Sequence, residues 1–435
     1  MGFFSGSNCM VVPGFKELTK DKPIGEFTTP KMVAIALKSM GSEAFEIHVQ
    51  VGDYVKIGTK LATRNDHFHL PLYSSVSGTV TAIEKRDHTS LKKTTHIVVE
   101  NDFADTKERL FNPVENIFAL EQAEIVEYIK NIGAVGLGGA GFPTYVKFLK
   151  VDGIHTVLLN GIECEPYITV DDFYIKKDHE LLVEGLILSM KASGAKKGVI
   201  GIKEGKPELY EILVNETKKH SSYDLEIKQM RNVYPMGWER FFIKEAFGKE
   251  YDRLPGEIGI ITMNTSTVIE FVRSMKTGYS MYERMSTLSG DGFKNPQNIR
   301  VRVGTILADA IEAIGGYTEG VPKNCRLIAG GPFMGASCIN DSVSINASGN
   351  AFLCLMNTEV EPSPCLRCGK CIENCPAGLQ PVQIVQANAS KNTKLLRKLH
   401  ADRCIVCGTC TYTCPSALDV TDATSKAKTF IMSQK

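Results

Sequence analysis

Three rhythms of apolar residues succeed one another along the chain. Between Val49 and Val80, apolar and polar positions alternate and are broken at short intervals by glycine: Val49-x-Val51-Gly52-Asp53-x-Val55-x-x-Gly58-x-x-Leu61, then Ser74-Ser75-Val76-Ser77-Gly78-Thr79-Val80. A period of two with glycine turns predicts short strands. Further on the period lengthens. Glu121 to Asn131 reads as an amphipathic helix, Thr156 to Leu159 as a strand, and Pro143 suits the first turn of another helix. Between Asn298 and Met334, the runs Ile299 to Val303 and Arg326 to Ile328 bracket a helical Ile306 to Ile314 that stops at Gly315-Gly316. Strand, helix and strand in that order suit a small β-grasp unit. Glu361-Pro362-Ser363-Pro364 then links to a cysteine-rich end. These patterns divide the chain into 1–115, 116–295, 296–354 and 355–435.

At 435 residues the chain exceeds what one core holds, given about 150 residues per domain. With 43% hydrophobic residues, 23% charged residues and a formal charge of +1, it is neither disordered nor collagen-like. It also lacks the basic field of a general nucleic-acid binder. The most apolar stretch, Leu181 to Met190, is short and interrupted by Glu184 and Gly185, so no membrane span is expected. The start, MGFFSGSNCM, has neither a basic nor an apolar signal region, and Gly6 stands where myristoylation needs Ser or Thr. A cytoplasmic chain is the expectation.

Of the 13 cysteines, Cys9, Cys164, Cys325, Cys338 and Cys354 are scattered, and the others crowd between Cys365 and Cys414. Cys365, Cys368, Cys371 and Cys375 precede Pro376; Cys404, Cys407, Cys410 and Cys414 precede Pro415. Both sets read C-x2-C-x2-C-x3-C-P, a spacing that aims three thiolates at one iron–sulfur cubane and sends the fourth to a neighbouring one. Cys365, Cys368, Cys371 and Cys414 are therefore assigned to one [4Fe-4S] cluster, and Cys404, Cys407, Cys410 and Cys375 to the other. Gly369 and Gly408 permit close backbone approach between the second and third ligands. Paired structural zinc sites are the competing reading, but zinc ribbons rarely use three cysteines at this spacing before a fourth and a proline. Two one-electron centres held close together form a wire, which implies a donor and an acceptor elsewhere.

Ile132 to Lys147 reads IGAVGLGGAGFPTYVK, where Gly136, Gly138 and Gly141 satisfy G-x-G-x-x-G with Gly139 inside it. Such glycines let backbone N–H groups approach a phosphate, and Lys147 stands within reach of a phosphate oxygen. The alternative is a turn that needs positive φ and holds no ligand. After the strand come Asn160-Gly161-Ile162-Glu163-Cys164-Glu165-Pro166-Tyr167, at a strand end, where ligands of open α/β sheets sit. Asn160 offers a donor and an acceptor to a flavin or nicotinamide edge; Glu163 and Glu165 suit ribose hydroxyls or a carboxamide. For Asp171 and Asp172, a solvated loop with helix-capping aspartates is the alternative.

GLGGAGFPT followed by a lysine, then NGIECEPY, resembles the RnfC proteins of the Rnf ferredoxin:NAD oxidoreductase complexes and, more distantly, the NADH-binding flavoprotein subunit of respiratory complex I. Tyr234-Pro235-Met236-Gly237-Trp238-Glu239, Met263-Asn264-Thr265-Ser266-Thr267 and Gly330-Gly331-Pro332-Phe333-Met334-Gly335 extend the match. The resemblance implies an α/β multidomain chain: an N-terminal β barrel-sandwich, a Rossmann-like α/β flavin/NADH domain, a β-grasp (SLBB-like) domain and a C-terminal two-cluster ferredoxin-like α-helical domain. Carried over, Gly136, Gly138, Lys147, Asn160 and Asn264 would hold the flavin, with Gly139, Gly141, Glu165, Tyr234, Gly237 and Glu239 in the same cofactor site. Phe142 and Glu163 would line the NADH side, Glu163 with a catalytic role. The implied cofactors are FMN, NAD(H) and two [4Fe-4S] clusters. The implied partners are NADH, the other Rnf subunits including membrane subunits and a ferredoxin-type subunit, and ferredoxin indirectly, at the cytoplasmic face of the cell membrane. NADH gives a hydride and each cubane takes one electron, so a flavin is the converter between them.

The N-terminal stretch resembles the barrel-sandwich of biotinyl and lipoyl carriers, but Ala62 to Tyr73 has no carrier lysine, so a structural or docking module is expected. His67 and His69 there are read as solvated loop residues rather than a metal pair, and Cys9 as an ordinary cysteine rather than a redox thiol. The chain departs from the Rnf pattern at Ser5-Gly6-Ser7-Asn8-Cys9-Met10 and at Ser39-Met40-Gly41-Ser42-Glu43-Ala44-Phe45-Glu46, where the family carries GGVHP-like and HIGAPAKP-like motifs. The departures put the docking partner in question. They raise the alternative of a soluble homologue feeding NADH electrons to a dedicated reductase of the proline reductase or cobalamin type. A non-catalytic iron–sulfur adaptor is the third reading, against which the intact Gly136, Gly138, Lys147, Asn160 and Glu163 speak.

Overall fold

The alternating N-terminal residues form short strands in two layers. In the computed structural model, which describes residues 8–139, 141–321, 325–357 and 360–434, Met32–Ala36, Lys93–Asn101, Gly78–Asp87 and Tyr54–Val55 make one antiparallel sheet. Phe45–Ile47, Lys60–Asn65 and His69–Tyr73 make the second. Val33, Ile35, Leu61, Val80, Ile97 and Val99 fill the space between them. Gly78 is required where the strands cross: a Cβ there would lie 1.8 Å from the Glu100 carbonyl oxygen, at φ +148°. The Tyr73 hydroxyl donates to the Asn131 carbonyl at 2.5 Å and the Tyr145 hydroxyl accepts from the His69 amide at 2.9 Å, which roots this barrel on the next domain. The departure at Ser5, Gly6 and Ser7 lies outside the described residues.

Helix and strand then alternate. Gln122–Ile132 buries Ile125, Ile129 and Ile132 on one stripe; Glu121 and Glu124 cap its start reciprocally and Gly133 ends it in the left-handed region. Pro143 opens a short 3-10 helix, Thr144–Phe148, in place of a full α-helix. Four strands lie parallel in the order Asp224–Met230, Lys197–Lys203, Thr156–Gly161, Ile260–Asn264. The first strand in the chain thus sits between the second and the last, and the connections leave it in opposite directions. Ligands of open α/β sheets settle at the carboxyl ends of strands beside such a switch point. Asn160 and Asn264 face each other in register at that end.

Strand Glu283–Ser289 lies before the expected boundary at 296, yet it pairs with Gln297–Arg302 and Ala351–Met356. Gly25–Phe27, Cys325–Ala329 and Ala336–Ser337 complete this six-stranded sheet, whose inner face packs on helix Leu307–Ala313 through Leu288, Ile299, Val301, Leu307 and Ile311. The β-grasp unit therefore takes in residue 283 onward and a strand from the N-terminal region. ERMSTLS carries little apolar alternation because its partners cover it on both sides, so it does not announce itself as a strand.

The C-terminal unit is built of short helices, Lys370–Glu373, Pro381–Ala389, Thr393–Lys398, Thr409–Tyr412 and Val420–Ser433, around Ile384, Leu396, Ala427 and Ile431. Its halves repeat: Arg367 and Gly369 take positive φ in one motif as Val406 and Gly408 do in the other. Among the described residues, no helix is long and apolar enough to cross a membrane.

Candidate functional site

Asn160 turns the chain at the end of its strand. Its Nδ2 donates to the Gly237 carbonyl at 2.8 Å and its Oδ1 accepts from the Ile162 amide at 3.0 Å. The turn leaves Asn160 on the wall of a cavity of about 620 Å³, within the range of small-molecule sites. Gly138, Gly139, Glu163, Glu165, Gly237 and Asn264 line the same cavity, faced by Gly330, Gly331, Asn346, Ser348 and Asn350. A Cβ on Gly139 would meet nothing within 4 Å, so the glycine turn is an open cradle; at Gly138, φ is +77° and a Cβ would crowd Asn350 at 3.1 Å.

Glu163 is 5% exposed. Its Oε1 accepts from the Asp171 amide at 3.0 Å, at the start of helix Val170–Lys177; its Oε2 has no hydrogen-bond partner and faces Lys16 Nζ at 3.6 Å. Burial pushes this carboxyl up to about 7, with Lys16 opposing and Asp172 and Asp171 reinforcing the rise. Glu163 lines the cavity, and its Oε2 is a buried acceptor that lacks a donor. Both oxygens of Glu165 are engaged: they accept from the Phe333 and Met334 amides at 3.1 Å each and from the Tyr234 hydroxyl at 3.2 Å. Burial raises its pKa as well. Glu165 thereby anchors the loop at Gly330–Gly335.

Asn264 accepts from the Thr267 amide at 3.3 Å, capping helix Thr265–Thr277, and donates to Asp171 at 3.0 Å, while Ser266 donates to the other Asp171 oxygen. Asp171 is thus buried inside the site rather than on a solvated loop, and Asp172 pairs with Lys206. Gly136, Gly141, Phe142, Lys147, Tyr234 and Glu239 are not among the residues that line the cavity. The Gly136 amide donates to the Phe142 carbonyl at 2.8 Å, closing the glycine turn, with Gly141 at φ +67°; the Phe142 ring packs edge-on against Phe68 of the barrel at 5.4 Å. Lys147 Nζ donates to the Thr262 carbonyl at 2.5 Å, and burial lowers its pKa with Glu239 opposing. Glu239 itself accepts from Tyr251 at 2.6 Å and from the Thr262 hydroxyl.

Tyr234 leads from this site to the cysteines. Its single O–H is shared between Glu165 and the Cys407 carbonyl, which lies nearer at 2.9 Å, and its ring lies 4.4 Å from Phe333, which lies 5.1 Å from Tyr412. Cys375, Cys404, Cys407 and Cys410 converge on one small cavity, the grouping that crossed ligation requires. The Val406 amide donates to Cys404 Sγ and the Leu379 amide to Cys375 Sγ, each at 3.4 Å. Four thiols with N–H donors around an apolar pocket suit an iron–sulfur cubane. In the other motif the Arg367 amide donates to Cys365 Sγ at 3.4 Å, and Cys365 and Cys368 are exposed. The Ser416 hydroxyl donates to the Pro364 carbonyl and the Ser363 amide to the Ser416 carbonyl, each at 3.0 Å, which brings the segment after Cys414 beside Cys365.

Sequence reasoning passed over Lys16, whose ammonium bonds residues 147 to 152 positions away, and the small polar run Asn346-Ala347-Ser348-Gly349-Asn350, whose composition between two strands was the available signal.

A nucleotide-sized cavity at a Rossmann-like switch point, joined through one tyrosine to a dicluster ligand loop, places the chain among flavin and iron–sulfur oxidoreductases. Family models match the RnfC barrel sandwich hybrid domain over residues 7–104, the Nuo51 FMN-binding domain over 129–273, the SLBB domain over 285–337 and the 4Fe-4S dicluster domain over 356–418. The RnfC protein of the Na(+)-translocating ferredoxin:NAD(+) oxidoreductase complex of Acetobacterium woodii is 35% identical over 385 residues, 86% of this chain and 85% of that protein. Its counterpart in the proton-translocating ferredoxin:NAD(+) oxidoreductase complex of Clostridium ljungdahlii is 32% identical, over 84% of this chain and 80% of that protein. The chain belongs to the RnfC family of the Rnf ion-translocating ferredoxin:NAD oxidoreductases, and its cofactors are FMN and [4Fe-4S] clusters. Among solved structures, an NAD+-reducing [NiFe]-hydrogenase shares the fold at a TM-score of 0.51 and 16% identity, over 74% of this chain and 65% of that one.

Proposed function

We propose that the chain passes electrons between a nicotinamide nucleotide and a membrane-bound partner, as the peripheral subunit of an ion-translocating ferredoxin:NAD oxidoreductase at the cytoplasmic face of the membrane. The observation that carries this reading is the Tyr234 hydroxyl, which touches Glu165 on the cavity wall and Cys407 in the ligand loop. Bound FMN supplies the exchange between hydride transfer and single-electron steps. The residues supply the rest. Gly138 and Gly139 open the wall to a phosphate; Asn160 and Asn264 set the strand ends; Glu163 presents an acceptor to the nucleotide. The bond from Tyr234 to Cys407 supports the cluster of Cys375, Cys404, Cys407 and Cys410 as the one proximal to the flavin, and the exposure of Cys365 and Cys368 supports the other as the one nearer a partner.

The experiment is anaerobic reconstitution with iron, sulfide and FMN, followed by optical and paramagnetic-resonance titration with NADH. Flavin bleaching with two interacting reduced-cubane signals is expected. Clusters that reduce with dithionite while NADH has no effect would overturn the reading. Recovery of the chain with the membrane fraction is the expected companion result; a stable complex with a soluble reductase would replace the membrane partner with that enzyme.

A further inference from the structure

Residues 14–19 are zipped to the loop that carries Glu163. The Tyr167 amide donates to the Gly14 carbonyl at 2.7 Å, the Phe15 and Tyr167 rings stack at 4.7 Å with planes 10° apart, and the Thr19 and Thr169 hydroxyls share a bond of 2.7 Å. Phe15 and Tyr167 both hold positive φ, 49° and 69°, a cost that non-glycine residues bear only where surrounding contacts demand it. Those contacts centre on Lys16. Its Nζ donates to the Glu165 carbonyl at 2.9 Å, to the Glu163 carbonyl at 3.2 Å and to the Ile168 carbonyl.

An ammonium has three N–H donors, and these three carbonyls take them all. None is left for the Glu163 carboxylate, which explains why Oε2 lacks a hydrogen bond while a cation stands 3.6 Å away. Lys16 acts on that oxygen through charge alone. The other charged groups around Glu163 are Asp171 and Asp172 from helix Val170–Lys177, with Lys206 paired to Asp172 and Lys203 beyond, facing Lys16 and Asp172. Two carboxylates crowd Glu163, and Lys16 is the cation that opposes them.

We propose that Lys16 is a positioning residue of the cofactor site, holding loop 163–168 in its cavity-lining course and keeping the Glu163 carboxylate an anionic acceptor for the nicotinamide nucleotide. The second role rests on the nicotinamide reading above; the first does not.

The test uses the full, cluster-loaded chain with Lys16→Gln, Lys16→Arg and Lys16→Gln/Glu163→Gln. Hydrogen exchange of peptides spanning 163–168, without ligand, should quicken about tenfold in Lys16→Gln, because the loop loses its anchor. Exchange at the native rate would overturn the anchoring role. Where Lys16→Gln does not fold, Lys16→Arg keeps the charge and must restore slow exchange at least in part. For the charge, NADH affinity is measured against pH. Lys16→Gln should shift the midpoint of the profile upward by about one pH unit, Lys16→Arg should leave it near the native value, and adding Glu163→Gln should abolish the shift. An unmoved midpoint in Lys16→Gln would overturn the electrostatic role. Native protein that binds no NADH would overturn the nicotinamide reading instead, and the exchange rates would still decide the anchoring.

Discussion

The Tyr234 hydroxyl and the Cys407 carbonyl oxygen meet at 2.9 Å across 173 residues of chain. Tyr234 belongs to the α/β domain and Cys407 to the dicluster unit, so the bond fixes the second cysteine motif against the wall of the cavity. The same hydroxyl reaches Glu165 at 3.2 Å, and Glu165 in turn holds the Phe333 and Met334 amides. Three domains therefore meet at one carboxylate and one phenol.

Tyr234→Phe keeps the ring against Phe333 and deletes both bonds. The buried Cys407 carbonyl and Glu165 lose the one O–H they share, a cost of about 1–2 kcal/mol. Clusters should still assemble, while their reduction after flavin bleaching by NADH slows. Stopped-flow spectroscopy and a thermal melt check both parts; native values in the two together would make the bond incidental.

Crossed ligation makes a second expectation. Cys375→Ser should remove the same paramagnetic signal as Cys407→Ser, although Cys375 belongs to the other motif in sequence. Cys368→Ser should remove the other signal and leave NADH oxidation by an artificial two-electron acceptor largely intact. Loss of different signals from Cys375→Ser and Cys407→Ser would show that each motif ligates its own cluster.

Much of this was legible because local spacing encodes it. The cysteine motifs, the Gln122–Ile132 helix and the strand ending at Asn160 follow from patterns a few residues long. What stayed hidden depends on long-range contact. Lys16 lies 147 residues from Glu163, and a lone lysine near the start of a chain reads as a solvated charge. Glu165 and Tyr234 were expected in the cofactor site, and Glu165 does line the cavity; that both are also bonded at the domain junction was not readable from their types. Strand Glu283–Ser289 escaped because it is covered on both sides and needs no alternation. The resemblance supplied the domain order, which the residues alone gave only in part.

Glu163 makes stability depend on pH. Its carboxyl is raised in the folded chain from 4.5 to about 7, so the folded state favours the protonated form. The associated stability is complete below the ordinary carboxyl value and is lost as pH rises through about 7. Glu163→Gln cannot ionise and loses nothing over that range. The melting temperature of the variant minus that of the native chain should therefore be more positive at about pH 8 than at about pH 5. Parallel profiles would mean that the carboxyl titrates at its ordinary value in the folded protein.

Two glycines separate the cradle from the scaffold. A Cβ on Gly331 would lie 2.2 Å from the Glu165 carboxylate, so Gly331→Ala must displace the group that holds the Phe333 and Met334 amides. Overpacking of this kind costs about 1–3 kcal/mol, and the variant should melt lower with or without FMN. A Cβ on Gly139 meets nothing within 4 Å, and its backbone is not in the left-handed region, so Gly139→Ala should leave the melt of the flavin-free chain unchanged. If the proposed phosphate site lies at this wall, the same methyl obstructs its close approach, and FMN retention should fall about tenfold or more. Fluorescence titration with FMN beside a melt of the flavin-free chain separates the two variants. Undiminished FMN affinity in Gly139→Ala would place the phosphate elsewhere in the cavity and leave Gly138 to be explained by its positive φ and its contact with Asn350 alone.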